Sequence, residues 1–569
     1  MGGVGYAVSP PEIHTMKIDD GSWSLTGVEA SQPQRRPEAF GTRGMVCSAH
    51  PLAAFIGLGI LQRGGNAFDA AIAVAAAEGV LLPMKCGLGG DAFVVLYDAR
   101  KDATVAFNGS GVAAAGATAD YYRSQGHTSM PLHGVHAVSV PGAVSVYEAL
   151  WRRHGTLDWP ELWAPAIELA EKGIAITKYI SGQFAANAED LAKFPYSAAQ
   201  YLPNGRVPAP GERWAAPNLA QSLRVVAKGG ADAFYRGEIA EKLLAFFRKE
   251  GQTFTADDFA QQQAVIHTPI STQYRGASVY ETAPQSQGFL VLEQLNILEG
   301  FDLASLAPYG AERMHLMIEA KKLAFADRNR YAGDPAFVKW PLETLISKDH
   351  AARRRALIDK TRAQWPDGAV VPEHSGDTSY FAVADGNGNA ISFIHSLSNA
   401  FGSCVVAGET GITLNNRAGR GFSLDPKHPN CIAPGRRTMH TLNAYMIHRD
   451  GKPWIVGGTP GGDQQVQWNA QIITNLIDYG MSVQDAAEAP RFHGFPGTDP
   501  GSLDRPPVVK VEDRVSEATR GALQGLDHKV ETLAAWGGGG AVQLIQIDRA
   551  NGVLRGGTDP RPGGLALGF

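Results

Sequence analysis

The chain has 569 residues, of which 44% are hydrophobic and 19% are charged, with a formal net charge of −5. That length is too great for one compact core of ordinary size, and so small a net charge gives no basic field for nucleic acid. Four cysteines without CxxC spacing argue against a disulfide framework, a zinc site and redox chemistry.

Residues 1–40 are predicted to form an irregular, Pro-bearing tail. They contain no basic-then-apolar secretory pattern, and no apolar stretch of the chain is long enough to cross a bilayer. We therefore expect a cytoplasmic protein that does not bind a membrane.

The next segment begins with a strand at 44–49 and continues with two helices, "PLAAFIGLGILQRGG" and "NAFDAAIAVAAAEGVLL". The second helix is apolar nearly all round, which indicates burial. "GLGGDAFVVLYDAR" predicts a glycine loop that leads into a strand. Because "GLGGD" lacks the Lys-Ser/Thr ending of a nucleotide-binding loop, a phosphate site is rejected. No histidine pair has metal-ligand spacing, His133 and His136 being the nearest, so neither a metal nor a cofactor is predicted.

From Trp151 to about His350 the pattern is mostly helical, with an amphipathic stripe on each helix. One strand, "GASVYETAP", interrupts it, and "KTRAQWPDGAVVPEHSG" follows as an exposed loop. Strands dominate afterwards: "YFAVAD", "NAISFI", "GITLNN", "AYMIHR", "PWIVGG" and "AVQLIQID". The pattern predicts a layered α/β fold in which helices cover both faces of the sheet.

Thr378 opens the strand in "HSGDTSYFAVADGNGNAISF". A hydroxyl alone is a weak nucleophile and needs a nearby base. If the Asp377–Thr378 peptide is broken, Thr378 gains a free α-amine with a pKa of about 7.7–8.0. That amine can take the proton from its own hydroxyl and return it to a leaving amine. One residue would then supply nucleophile and base, although an ordinary strand-edge threonine is the competing interpretation.

A turn centred on Asn387 would place Ser396 opposite Thr378, within hydrogen-bonding distance if both side chains point the same way. A register shifted by one would put Leu397 there instead. The successive glycines Gly461 and Gly462 in "VGGTPGGDQQ" can aim two backbone N–H groups into one space, as an oxyanion hole requires. A plain cross-strand hydroxyl and a plain turn remain the alternatives for these two features.

Many stretches in the same order resemble the γ-glutamyltransferase family of N-terminal-nucleophile hydrolases. Among them are "VSVPGAVSVYEAL", "FYRGEIAEKL", "GDTSYFAVADGNGNAISFIHSL", "FGSCVVAGETGITLNN" and "GGTPGGDQQVQ". The resemblance implies self-cleavage before Thr378 and a four-layer αββα sandwich built by a large subunit, 1–377, and a small subunit, 378–569. It also implies that Thr378 is the nucleophile, Ser396 its supporting hydroxyl, and Gly461 and Gly462 the oxyanion donors.

The chain departs from the transferases where they bind the glutamyl group. Their arginine clamp corresponds to about Ser110 here, and no acid follows "LNN" to hold an α-amine. Arg417 and Arg420 follow instead, and His440 and Thr441 replace a serine pair. Arginines without an acid favour a substrate that carries a carboxylate and no α-amine. The substrate-binding candidates are Arg417, Arg420, His440, Thr441 and Ser398.

This pattern resembles the family branch that includes oxamate amidohydrolase. The leading hypothesis is a self-processing threonine amidohydrolase that acts on a small carboxylate-bearing amide. The alternatives are a glutathione hydrolase or γ-glutamyltransferase with an altered clamp, and an uncleaved, inactive scaffold. The expected partners are the amide substrate and the chain's own two subunits, and a homo-oligomer is left open.

Overall fold

The computed structural model describes residues 36–364, 377–495 and 507–569, with two short strands nearer the N-terminus. The chain divides into Met1–Pro37 and Glu38–Phe569. In the first unit, β1 (Ile18–Asp19) pairs antiparallel with β2 (Ser22–Trp23). Most of the predicted tail and most of the predicted loop before Thr378 lie outside the described residues.

The remaining strands are β3 (Ala39–Gly41), β4 (Gly44–Ser48), β5 (Asp91–Asp98), β6 (Ala103–Asn108), β7 (Ile174–Ala175), β8 (Arg213–Trp214), β9 (Val265–His267), β10 (Ile270–Tyr274), β11 (Ala277–Glu281), β12 (Asp377–Asp385), β13 (Ala390–Ser398), β14 (Tyr445–Arg449), β15 (Lys452–Gly458), β16 (Phe492–Phe495), β17 (Val508–Glu512), β18 (Val530–Leu533), β19 (Gln543–Asp548), β20 (Val553–Thr558) and β21 (Leu565–Gly568).

The helices are α1 (Pro51–Gln62), α2 (Ala67–Leu81), α3 (Ala119–Ser124), α4 (Ala143–His154), α5 (Trp159–Lys172), α6 (Lys178–Ala186), α7 (Ala188–Ala192), α8 (Pro195–Tyr201), α9 (Pro217–Tyr235), α10 (Glu238–Lys249), α11 (Ala256–Ala260), α12 (Phe289–Leu298), α13 (Ala311–Tyr331), α14 (Leu342–Leu345), α15 (Lys348–Arg355), α16 (Arg417–Gly421), α17 (Gln465–Ile477), α18 (Val483–Glu488) and α19 (Glu517–Gly525).

Fourteen of the described strands form two large antiparallel sheets of seven strands each, and the others form one three-stranded and two two-stranded sheets. Sheet I has the order β21-β4-β12-β13-β5-β6-β9, and sheet II has the order β10-β11-β14-β15-β19-β20-β3. Their facing side chains make one core, to which Phe93, Tyr380 and Ile394 contribute from sheet I and Met446 and Ile545 from sheet II. The sheets therefore stack face to face.

Helices cover both outer faces of this pair of sheets. The outer side chains of sheet I, such as Val94 and Phe393, pack with α1, α2, α4 and α5. Those of sheet II, such as Ile447 and Leu544, pack with α12 and α17. The predicted four-layer αββα sandwich is thus confirmed. Strands β5 and β13 are buried along their whole length because sheet I is covered on both sides.

Sheet I interleaves strands from both sides of the predicted cleavage point. Strand β12 lies between β4 and β13, and β21 pairs with β4. A cut before Thr378 would therefore leave two chains joined by backbone ladders and a shared core, which fits the expectation of one integrated fold.

Two expectations about local structure are wrong. "GITLNN" forms no strand, because its pairing is limited to one isolated bridge between Thr413 and Val406. Beyond that bridge, Asn415 N–H donates to Gly89 O and Asn416 N–H to Leu397 O, so the backbone continues into two other segments and not along a ladder. Helix α13 is not amphipathic, since it is buried on nearly every side between α12 and α15 and the elements β16 and α19.

No helix among the described residues combines the length and apolar character needed to cross a bilayer.

Candidate active site

Thr378 is the second residue of β12 and is buried. The hairpin has the predicted register, because Ser379 pairs with His395 and Tyr380 with Ile394. A bulge between Asp377 and Ser379 displaces Thr378 from the regular ladder. Its Oγ1 lies 3.0 Å from Ser396 Oγ, so the two hydroxyls meet as the register predicts.

The Ser396 hydroxyl connects the Thr378 hydroxyl to the carbonyl before it. Ser396 Oγ donates to Asp377 O at 2.9 Å, which commits its single proton. Thr378 Oγ1 is therefore the donor in its contact with Ser396. The resulting chain runs from the Thr378 hydroxyl through Ser396 to the carbonyl of the peptide bond that self-cleavage would break.

Ser398 has a backbone role at this point. It pairs with Asp377 across the ladder, and its N–H donates to Ser396 Oγ at 2.7 Å. Its φ of +91° lies in the left-handed region. Its own hydroxyl is buried and has no hydrogen-bond partner among the described residues. A substrate-binding role for that hydroxyl stays a prediction.

Asp377 is held at its side chain as well as at its carbonyl. Its Oδ1 lies 2.8 Å from Lys85 Nζ, and both side chains are largely buried. The two residues line a cleft of about 570 Å³ that Gly461 and Gln464 also line. The bond before Thr378 therefore borders a cavity large enough for a small molecule.

The glycine pair forms the turn between β15 and α17. Gly461 has a φ of +139°, and a Cβ there would come within 2.3 Å of the Trp468 ring, so only glycine fits. With the Gln465 amide oriented to satisfy its neighbours, its oxygen accepts from Gly462 N–H at 3.2 Å. The oxyanion role of Gly461 and Gly462 stays a prediction, and Gly462 would have to exchange this partner for the oxyanion.

Residues of α13 and of the turn before α12 hold the glycine pair in place through hydrogen bonds. Gln287 Nε2 donates to Gly462 O at 3.0 Å and to Thr441 O at 2.8 Å. Arg328 donates to Gln287 Oε1 and, at 2.7 Å, to Asp463 Oδ1. This buried network fixes the turn relative to the segment that carries Thr441.

Arg417, His440 and Thr441 gather around Asp91. Arg417 Nε lies 3.4 Å from Asp91 Oδ2, and its Nη1 donates to Thr441 Oγ1 at 3.3 Å. His440 Nε2 lies 3.0 Å from the same Asp91 oxygen. Asp91 pairs with Ser396 in sheet I, which places the cluster beside the hydroxyl pair. Arg420 is buried, and its positive charge acts to lower the pKa of His440.

The absence of an acid near these arginines, expected from the sequence, is wrong. Asp91 comes from "GLGGD", far along the chain from "LNNRAGRG". A Cβ on Gly90 would approach Ser396 O to 2.4 Å, so this glycine lets the loop run against β13. The glycines of "GLGGD" are the sequence signal that could have indicated a close backbone approach to β13, the strand that carries Ser396.

The buried His440 makes stability depend on pH. Burial, and then the charge of Arg417, lower the pKa of His440 to about 4. The unfolded chain, with a His pKa near 6.5, therefore binds more protons between about pH 4 and 6.5. The contribution of neutral His440 to the free energy of unfolding should be fully present above about pH 6.5. It should fall by about 3 kcal/mol as the pH drops to about 4.

Urea unfolding measured at half-unit steps from pH 7.5 to 4 tests this. His440→Gln should reduce the acid-side slope without abolishing it, because burial also lowers the pKa of His448, His493 and His528. An unchanged slope in the variant would show that other groups carry the acid sensitivity.

Three groups of potential metal ligands occur in the described parts of the chain: Glu78, Cys86 and His395; His315, Glu319 and His528; and Glu293, Asp327 and His350. In each group a carboxylate already has another partner, namely Ser48, Lys322 and Arg354 respectively. These contacts are those of buried polar networks, and the expectation of no metal stays a prediction.

Residues 53–569 match the family described as gamma-glutamyltranspeptidase. The chain is 39% identical over 535 residues to the glutathione hydrolase-like YwrD proenzyme of Bacillus subtilis, covering 93% of this chain and 99% of the relative. It is 35% identical over 538 residues to the oxamate amidohydrolase proenzyme of Klebsiella pneumoniae, with the same coverage of 93% and 99%. The crystal structure of cephalosporin acylase from Bacillus halodurans superposes with a TM-score of 0.88 at 35% identity, covering 96% and 99% of the two chains.

The fold and these likenesses define an amidohydrolase of the N-terminal-nucleophile class. Within that class, the chain belongs to the γ-glutamyltranspeptidase family.

Proposed function

We propose that the chain cleaves itself before Thr378, and that the matured enzyme uses Thr378 to hydrolyse a small carboxylate-bearing amide, of which oxamate is the smallest. The observation that carries this proposal is the hydroxyl chain from Thr378 through Ser396 to Asp377 O. It supplies a nucleophile, a proton path and a polarised carbonyl at one peptide bond.

In self-cleavage, Thr378 Oγ1 attacks the carbonyl carbon of Asp377 while its proton passes through Ser396 to the carbonyl oxygen. The C–N bond then breaks, and that proton passes to the nitrogen, which becomes the free α-amine of Thr378. The acyl group is left as an ester on Oγ1. Water hydrolyses the ester, giving an Asp377 carboxylate and a regenerated hydroxyl.

In the matured enzyme, the free α-amine, a group whose unperturbed pKa is about 7.7–8.0, takes the Oγ1 proton as substrate binds. Attack on the amide carbonyl gives an acyl-enzyme, and the amine returns the proton to the leaving nitrogen. Water then releases the acid. Gly461 and Gly462 are proposed to donate to the oxyanion formed in both steps.

The substrate proposal is supported by the guanidinium groups of Arg417 and Arg420 and by the name of the Klebsiella relative. Asp91 also affects which substrate charges the site can accept. Its carboxylate already contacts Arg417 and His440, so a substrate ammonium would have to compete with Arg417 for it. A substrate that carries a carboxylate and no ammonium avoids that competition.

A second candidate is hydrolysis of γ-glutamyl amides such as glutathione. The observation that favours it is Asp91, an acid beside Ser396 that could hold an α-amine, together with the name of the Bacillus subtilis relative. Comparing turnover of oxamate with that of a γ-glutamyl anilide by matured enzyme separates the two. Rapid anilide cleavage without oxamate hydrolysis would favour the second candidate.

The third alternative is an uncleaved, inactive scaffold. Denaturing gel electrophoresis should resolve two subunits, 1–377 and 378–569, from the 60.5 kDa chain. A full-length band that persists in active preparations would contradict self-processing. The cytoplasmic location and any homo-oligomer stay proposals.

Ser396→Ala should slow self-cleavage by about 10²-fold, because the proton path and the bond to Asp377 O are both lost. The time course of subunit appearance on denaturing gels measures the effect. Ser392→Ala is the matched control, since Ser392 lies on the same strand but bonds to Tyr380 and Gly457 O. Equal rates for the two variants would contradict the relay.

A further inference from the structure

Lys85 holds the acyl side of the bond that self-cleavage would break. Its Nζ lies 2.8 Å from Asp377 Oδ1, with side-chain exposures of 6% and 15%. The Lys85 backbone is fixed, because its carbonyl accepts from Leu397 N–H at 2.8 Å. Burial acts to lower the pKa of Lys85, but Asp377 and the Tyr179 hydroxyl outweigh it and raise the pKa, so the ammonium is charged at neutral pH.

Asp377 is thus held by two contacts, one at the carbonyl that is attacked in self-cleavage and one at its side chain. Its carbonyl oxygen accepts from Ser396 Oγ, and its side-chain carboxylate pairs with Lys85. Two carbon atoms, Cα and Cβ, lie between the carbonyl carbon and the carboxylate carbon of Asp377. This is the spacing of a succinyl group.

We propose that Lys85 binds the substrate carboxylate in the matured enzyme, and that the preferred substrates are monoamides of four-carbon dicarboxylic acids, with succinamate as the simplest. This inference rests on the proposed function and deepens it.

Asp377 and the substrate form their esters on the same oxygen atom. In self-cleavage the Asp377 acyl group is transferred to Thr378 Oγ1, and in turnover the substrate acyl group is transferred to the same atom. The two carbonyl oxygens have different donors, Ser396 in self-cleavage and the proposed Gly461 and Gly462 in turnover, but both esters form on Oγ1. The substrate acyl group is therefore placed in the cleft that holds the Asp377 side chain. Lys85, Asp377 and Gly461 line it, and its volume of about 570 Å³ exceeds what a four-carbon chain needs.

Scission also changes the electrostatics at Lys85. For Lys85 to bind substrate, the cut end at Asp377 has to move away from it; the buried ammonium then loses its nearest carboxylate, which is costly. A substrate carboxylate restores the pair. Arg417 keeps its contact with Asp91, which lies within β5 and is not released by the cut. Lys85 is therefore assigned the direct contact with the substrate carboxylate, and Arg417 adds positive charge near the site.

The test compares succinamate with butyramide, which has the same carbon chain without the carboxylate, on matured Lys85→Met, Lys85→Arg and unchanged enzyme. We expect Lys85→Met to lower kcat/KM for succinamate, through a higher KM, at least about 30-fold more than it lowers kcat/KM for butyramide. Lys85→Arg should keep most of the preference for succinamate over butyramide. Equal loss for both amides, or no loss for either, would overturn the proposal.

If Lys85→Met does not mature, the unchanged matured enzyme decides the matter. Among oxamate, malonamate, succinamate and glutaramate, kcat/KM should peak at succinamate, and butyramide should be far poorer. A peak at another length, or butyramide turned over as well as succinamate, would overturn the proposal. If matured enzyme hydrolysed none of these amides, the proposed function itself would fail.

Discussion

Thr378→Ala is expected to abolish both self-cleavage and hydrolysis. The substitution removes the oxygen that lies 3.0 Å from Ser396 Oγ. The neighbouring hydroxyl of Ser379 does not replace it, because that oxygen is buried and has no hydrogen-bond partner among the described residues. Loss of a nucleophile that acts with its own base lowers turnover by about 10⁴-fold or more. The preparation should run as one band at 60.5 kDa and show no amide hydrolysis above background.

Thr378→Ser is the matched control, because it keeps the oxygen and removes only the methyl that restricts χ1. It should mature more slowly than the natural chain and remain active. Normal maturation of Thr378→Ala would show that another group makes the cut, and activity in its uncleaved chain would contradict the free α-amine as base.

Arg328→Met is expected to lower the free energy of unfolding by about 3–5 kcal/mol. Arg328 Nη1 and Asp463 Oδ1 are 2.7 Å apart, and both side chains are 1% exposed. The substitution removes this partner from a carboxylate that stays buried. It also removes the donor to Gln287 Oε1, so the turn at Gly462 loses support.

Urea unfolding in the Thr378→Ala background measures this on a single uncleaved chain. Arg330→Met is the control on the same helix, where the side chain is exposed, and it should change stability by less than about 0.5 kcal/mol. In cleaved protein, Arg328→Met should lower kcat more than it raises KM. Equal stability of the Arg328 and Arg330 variants would contradict the structural role given to the ion pair.

The layers of the fold were predictable from local patterns. Strands β12 and β13 alternate around a clear turn at Asn387, so the contact of Thr378 with Ser396 follows from register alone. Helix α2 was recognised as buried because it is apolar all round. These features depend on residues close together in the sequence.

The charged parts of the site were not predictable in the same way. Asp91 meets Arg417, and Lys85 meets Asp377, across about three hundred residues of chain. Such pairs depend on how sheet I brings β5 beside β13, which no local pattern records. Gln287 and Arg328 were missed because buried polar residues on α13 and before α12 resemble ordinary surface residues in sequence.

The most direct test of the account is the intact mass of the two subunits in an active preparation, with the N-terminal sequence of the smaller one. We expect a small subunit that begins with Thr378-Ser379-Tyr380 and carries a free α-amine, and a large subunit that ends at Asp377. An active protein with the 377–378 bond intact, or a small subunit that begins at any other residue, would contradict it.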